Sequence, residues 1–174
     1  MRFWRSGLLA LTVATGMAAG ASLAAADGPS KGAEWPNIPW RTWQGVYGGI
    51  HAGSVDAWWD DGLAAGIQIG RNWQAGNIVY GIEGDVSLSG ADSLDWMATA
   101  RGRLGYLLTP SLLLYGTAGV GLVDTEWDGT ETDFVYGLGV ESKLTRTTTV
   151  RLEYLGYSDT DVDVVRVGLN FKLN

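Results

Sequence analysis

From residue 43 onward, apolar and polar residues alternate along segments of about ten residues, each closed by turn-forming residues. Eight such segments can be traced, at 43–53, 63–73, 77–88, 94–108, 112–123, 132–143, 148–157 and 163–173. In the third, one parity reads Ile78, Tyr80, Ile82, Gly84, Val86, Leu88, and the other Val79, Gly81, Glu83, Asp85, Ser87. In the fourth, Trp96, Ala98, Ala100, Gly102, Leu104 and Tyr106 oppose Asp95, Thr99, Arg101 and Arg103. In the last, Val165, Val167, Leu169, Phe171 and Leu173 oppose Arg166, Gly168, Asn170 and Lys172. A period of two is the signature of strands, with one oily and one polar side. The pattern predicts an all-β chain in which neighbouring strands run antiparallel.

Which side faces outward decides the class. In a soluble barrel the oily parity would point in. Here glycines crowd the polar parity, as they must where large polar side chains share a narrow lumen. Trp73, Tyr80, Trp96, Tyr106, Phe134, Tyr136 and Phe171 stand on the apolar parity near segment ends, where interfacial girdles belong. A tilted strand of about 9–11 residues crosses the hydrocarbon layer. The reading is therefore an eight-stranded antiparallel up-and-down transmembrane β-barrel over 43–174. Short connections at 74–76, 109–111 and 144–147 alternate with longer or more acidic ones at 54–62, 89–93, 124–131 and 158–162. Short turns belong on the periplasmic side of such barrels, long ones outside.

The residues ahead of the barrel read differently. Arg2 and Arg5 precede an apolar, small-residue run that ends in Ala24-Ala25-Ala26, the form of a secretory signal peptide cleaved after residue 26. Residues 27–42, rich in Gly, Pro and Ser, read as a flexible segment. The absence of cysteine removes disulfide and thiolate-metal chemistry. Without the leader, 10 basic residues face 19 acidic ones, a balance that excludes nucleic acid as a partner.

The acids are not spread evenly. Asp56, Asp60, Asp61, Asp92, Asp124, Glu126, Asp128, Glu131, Asp133, Asp159, Asp161 and Asp163 gather at the external end, without a Lys or Arg among them. They form either a solvated face or one that holds divalent cations bridging lipopolysaccharide. Asp159 to Asp163 lacks the glycine and closing Glu of a calcium loop. A second set lies on the polar parity: Glu83, Asp85, Asp95, Glu141 and Glu153 against Arg101, Arg103, Lys143, Arg151, Arg166 and Lys172. Near-equal opposite charge in so narrow a lumen predicts cross-lumen ion pairs and a plugged interior, since an unpaired buried charge is costly.

Three positions test the reading. Strict alternation sends Arg71 to the lipid side, one turn from the periplasmic end, where it can snorkel to the headgroups. His51, the only histidine, sits on the polar parity with Tyr47. A Ser–His hydrolase would need a serine and an orienting acid beside it, but Ser54 falls on the opposite parity. The glycines of 116–121 lie inside a strand with no helix to follow, which removes the mechanism of a nucleotide loop. No catalytic residue, cofactor or metal site is read from the chain.

The segments Trp43-Gln44-Gly45-Val46-Tyr47-Gly48-Gly49 and Gly66-Ile67-Gln68-Ile69-Gly70-Arg71-Asn72-Trp73-Gln74 resemble the first two strands of the porin-like outer-membrane β-barrel family, small barrels of the OmpA/OmpX kind. Gly81-Ile82-Glu83-Gly84-Asp85, Arg101-Gly102-Arg103-Leu104-Gly105-Tyr106, Val150-Arg151-Leu152-Glu153-Tyr154 and Val165-Arg166-Val167-Gly168-Leu169-Asn170-Phe171 follow in the same order. The resemblance implies a surface-exposed barrel of the Gram-negative outer membrane. Its expected partners are outer-membrane lipid, lipopolysaccharide and the assembly machinery. A structural or surface role is the expected function. The alternatives are a narrow channel for ions or small solutes and a lipid-modifying enzyme. Oligomeric state is not legible in the sequence.

Overall fold

In the computed structural model, which describes residues 42–57, 60–91, 94–125, 129–158 and 162–173, the chain forms eight strands. They are β1 Gly45–Ala57, β2 Asp60–Ala75, β3 Ile78–Ala91, β4 Leu94–Thr109, β5 Leu112–Thr125, β6 Gly129–Lys143, β7 Thr148–Tyr157 and β8 Val162–Lys172. Each pairs antiparallel with its neighbours in sequence, and β8 closes on β1. The all-β, up-and-down barrel expected from the alternation is the fold observed. Residues 1–26, read as a leader, and 27–41 of the flexible segment lie outside the described residues.

The register fixes the size of the barrel. Following directly opposed residues from Gly45 through Asn72, Gly81, Arg103, Thr117, Gly137, Leu155 and Val164 returns to β1 at Val55, ten residues further along. With ~3.3 Å per residue and ~4.8 Å between strands, that stagger tilts the strands by about 40° and gives a backbone radius of about 8 Å. So small a lumen holds side chains and little else.

Glycine makes the packing feasible on the inner face. A Cβ on Gly70 would sit 2.4 Å from the Tyr47 hydroxyl, and one on Gly139 2.4 Å from Tyr115 Cζ. Both tyrosines lie flat against backbone that carries no side chain. At the short-turn end, Gly76 takes φ of +60° in the two-residue connection between β2 and β3, a conformation that hairpin turns reserve for glycine or asparagine.

The faces are inverted relative to a soluble protein. Leu63, Ile67 and Leu138 on the outside are 77%, 65% and 67% exposed, whereas Arg151 and Glu153 inside are each 1% exposed. The end opposite the short turns departs from expectation. Residues assigned to long loops are largely strand: β1 and β2 stay paired up to Ala57 and Asp60, and β5 and β6 up to Thr125 and Gly129. The inner face supplies the reason. Val55, Ala64, Met97, Val123, Val135, Leu155, Tyr157, Val162 and Val164 form an apolar cluster inside this extension, giving the ribbons a core to close around. Asp133, grouped by sequence with the external acids, faces into this extension and is buried, while Asp56, Asp61 and Asp163 point outward in one cross-strand row.

Candidate functional site: the filled lumen

Midway along the strands, alternation sends long charged side chains inward from β3, β4, β7 and β8, with Glu141 joining from β6. Glu83 and Arg101 oppose each other in register, as do Glu153 and Arg166. Both pairs make contact: Arg101 Nη2 donates to Glu83 at 2.8 Å and Arg166 Nε to Glu153 at 2.8 Å. The other links cross the lumen. Arg151 on β7 donates to Glu83 on β3, the diametrically opposite strand, at 2.5 Å. Arg103 on β4 reaches Glu141 on β6 at 2.7 Å, and Asp85 accepts from Arg101 at 2.6 Å and from Arg166 at 2.9 Å.

Four guanidiniums and four carboxylates thus form one buried, charge-balanced layer. Neutral donors stitch its edges. The Tyr47 hydroxyl donates to Glu83 at 2.6 Å and that of Tyr115 to Glu153 at 2.8 Å. Thr99 donates to Asp85, Asn170 to Glu141, and Arg103 stacks 4.0 Å from the Tyr115 ring centroid. Charge-assisted bonds of this kind are the strong ones, and they hold only while every partner is present.

The remaining members of the inward set lie elsewhere. Lys143 is at the short-turn mouth, donating to the Thr42 carbonyl at 3.0 Å and standing 4.9 Å from the Trp43 ring. Lys172 lines the same mouth. Asp95 falls on β4, and its side chain lies outside the described residues.

Sequence reasoning missed the layers above and below. The extension cluster lies over the charges on one side. On the other, Trp43, Val79, Leu107, Leu113 and Tyr115 form a second apolar cluster. Trp43 is pinned there by two hydrogen bonds, its backbone N–H to Gln74 and its indole N–H to the Pro110 carbonyl at 3.3 Å. The signal was present in runs apolar on both parities, such as Leu112-Leu113-Leu114, which a strict alternation reading passes over. Beside this plug the mouth keeps a cavity of about 40 Å³, room for a water or two.

His51 also has partners that spacing did not reveal. Its Nδ1 meets Gln68 Oε1, and its Nε2 lies 2.7 Å from the Ser87 hydroxyl. The serine therefore comes from β3 and not from Ser54, which points outward. The third group is an amide where hydrolases place a carboxylate. All three side chains are buried inside the barrel. Among the described residues, no three His, Cys, Asp or Glu side chains converge as metal ligands.

The chain matches the family described as "Outer membrane protein beta-barrel domain" over residues 8–174. It is 37% identical over 153 residues to a 22 kDa outer membrane protein of Rhizobium leguminosarum bv. viciae, covering 75% of this chain and 72% of that protein. It is 31% identical over 160 residues to a 31 kDa outer-membrane immunogenic protein of Brucella melitensis biotype 1, covering 64% and 66%. Among solved structures, the N-terminal β-barrel domain of Pseudomonas aeruginosa OprF superposes with a TM-score of 0.51 at 14% identity, over 74% of this chain and 98% of that one. That likeness bears on the fold. Outward-facing oil, a closed antiparallel barrel and this match place the chain in the outer membrane, as a member of the outer-membrane β-barrel protein family.

Proposed function

We propose that this barrel serves the outer membrane as a sealed, structural wall element with a surface-exposed acidic rim, and not as a channel or an enzyme. The carrying observation is the three-layer lumen: a charge-balanced layer of four arginines and four carboxylates between two apolar clusters. An ion entering from the extension would first meet hydrocarbon side chains, and one entering from the short-turn mouth the Trp43 cluster with Lys143 and Lys172 beside it; both then reach a lattice whose charges are already spent on one another. Opening that path means unpairing buried charges, each at a cost of several kcal/mol. The Brucella relatives are named immunogenic, which supports exposure at the cell surface for this chain as well.

No catalytic role is proposed for Ser87 and His51. They sit between the charge layer and the extension cluster, where a lipid ester could not reach them, and an amide stands where the imidazolium would need an anion.

The test is a chromosomal deletion complemented in trans. Loss of the barrel should raise sensitivity to detergents and large antibiotics, and the wild-type chain should restore resistance. If the deletion left the envelope intact but slowed uptake of a small solute, the structural reading would fail in favour of a channel.

A further inference from the structure

On the outer wall, the chain leaves a groove of about 770 Å³, within the ~300–1,000 Å³ span of ligand clefts. Its floor is Gly102 on β4 and Gly116 and Ala118 on β5, neighbours in one cross-strand block. Bulky side chains rise on either flank: Ile82 and Leu104 on one, Leu138 and Tyr136 on the other.

The small floor is not required by the barrel's own packing. A Cβ on Gly102 would meet nothing nearer than the Ala118 carbonyl at 3.9 Å, and one on Gly116 nothing nearer than 3.8 Å. Inward glycines behave oppositely: a Cβ on Gly66 or Gly119 would come within 2.1 Å of backbone. Glycine in a strand interior weakens it by about 0.5–1 kcal/mol relative to alanine, so the open floor has a cost without a packing return inside the protein.

Charge identifies the occupant. Toward the short-turn end the groove reaches Trp73 and Tyr80, whose rings stack with centroids 5.9 Å apart. The Arg71 guanidinium lies 5.2 Å from the Trp73 centroid, and Arg71 is the cross-strand neighbour of Ile82 in the groove wall. Among the described strand residues, Arg71 is the one outward-facing charged side chain on the periplasmic half of the wall. A cation beside an aromatic pair at the interface, next to an apolar cleft running into the hydrocarbon, matches one chemistry. We propose that the groove binds a single phospholipid of the periplasmic leaflet, its phosphate on Arg71 and one acyl chain over Gly102, Gly116 and Ala118. The phosphate accepts the hydrogen bonds that the guanidinium donates, and the acyl chain fills the hollow that the glycines leave.

The test is native mass spectrometry of the full barrel refolded in a neutral detergent, titrated with phosphatidylglycerol or with diacylglycerol of the same chains. Arg71→Gln and Gly116→Leu variants are run beside it, each first shown to be folded by heat-modifiable gel mobility. The wild type should retain one phosphatidylglycerol. Arg71→Gln should weaken that retention about tenfold, the value of one charge-assisted contact, and leave diacylglycerol binding unchanged. Gly116→Leu should weaken both lipids. Equal retention by all three proteins would overturn the proposal. So would a wild-type dimer that carries no lipid, since the groove would then be a contact between two copies.

Discussion

Glu83 shows how much one lumen side chain holds. Its carboxylate accepts from Arg101, Arg151 and Tyr47, joining three strands besides its own. Glu83→Ala should therefore cost about 3–5 kcal/mol, because buried cations lose their partner while their desolvation remains. Urea titration of the barrel in lipid vesicles measures this, and a loss below about 1 kcal/mol would mean that water enters and solvates the layer. Glycines give a sharper contrast of the same kind. Gly139→Ala drives a Cβ into the buried Tyr115 ring and should lose about 1–3 kcal/mol. Gly102→Ala points into open space and should be neutral or gain up to about 1 kcal/mol. Two Gly→Ala changes of opposite sign follow from which face each glycine occupies.

The strands were legible because each carries a two-residue period over most of its length. Glu83, Asp85, Arg101, Arg103, Arg151, Glu153 and Arg166 could be placed inward on that basis alone, since hydrocarbon cannot accept them in such number. The ends of the elements were not legible in the same way. Val79, Leu107 and Leu113 occupy inward positions between outward-facing Ile78, Tyr80, Leu108, Leu112 and Leu114, so both parities are apolar and the period vanishes. The strand extension at the opposite end, packed around Val55, Met97 and Val123, read as loop for another reason: there Asp56, Asp61 and Asp163 face out and apolar residues face in, the inverse of the pattern on the rest of the wall. The pairing of His51 with Ser87 depends on the register that sets both beside Gly66 of β2, so that the imidazole reaches over a glycine to the second strand along, which no local pattern encodes. Trp43 belongs to this scale as well. It precedes β1 yet closes the short-turn mouth, tied to β2 through Gln74 and to the β4–β5 turn through Pro110. Trp43→Ala should cost about 3–5 kcal/mol and lower the midpoint of thermal unfolding. An unchanged midpoint would show that this residue is not part of the barrel's core.

At the scale of the whole molecule, the barrel solves two solvent problems at once. The outer wall is hydrocarbon for the bilayer, and the inner wall is charge neutralised against itself, with an apolar cluster on either side of the charged layer. Through the body of the barrel each strand pairs on both sides, so closure needs no partner chain to complete the backbone there. Where the strands emerge, the barrel presents an outward row of Asp56, Asp61 and Asp163. The seal is the central claim. Single-channel recording of the refolded barrel in a planar bilayer tests it most directly, with a Glu83→Ala/Arg101→Ala variant recorded beside the wild type. Silence from the wild type, with brief openings in the variant at most, is the predicted result. Reproducible conductance steps from the unmodified barrel would contradict it.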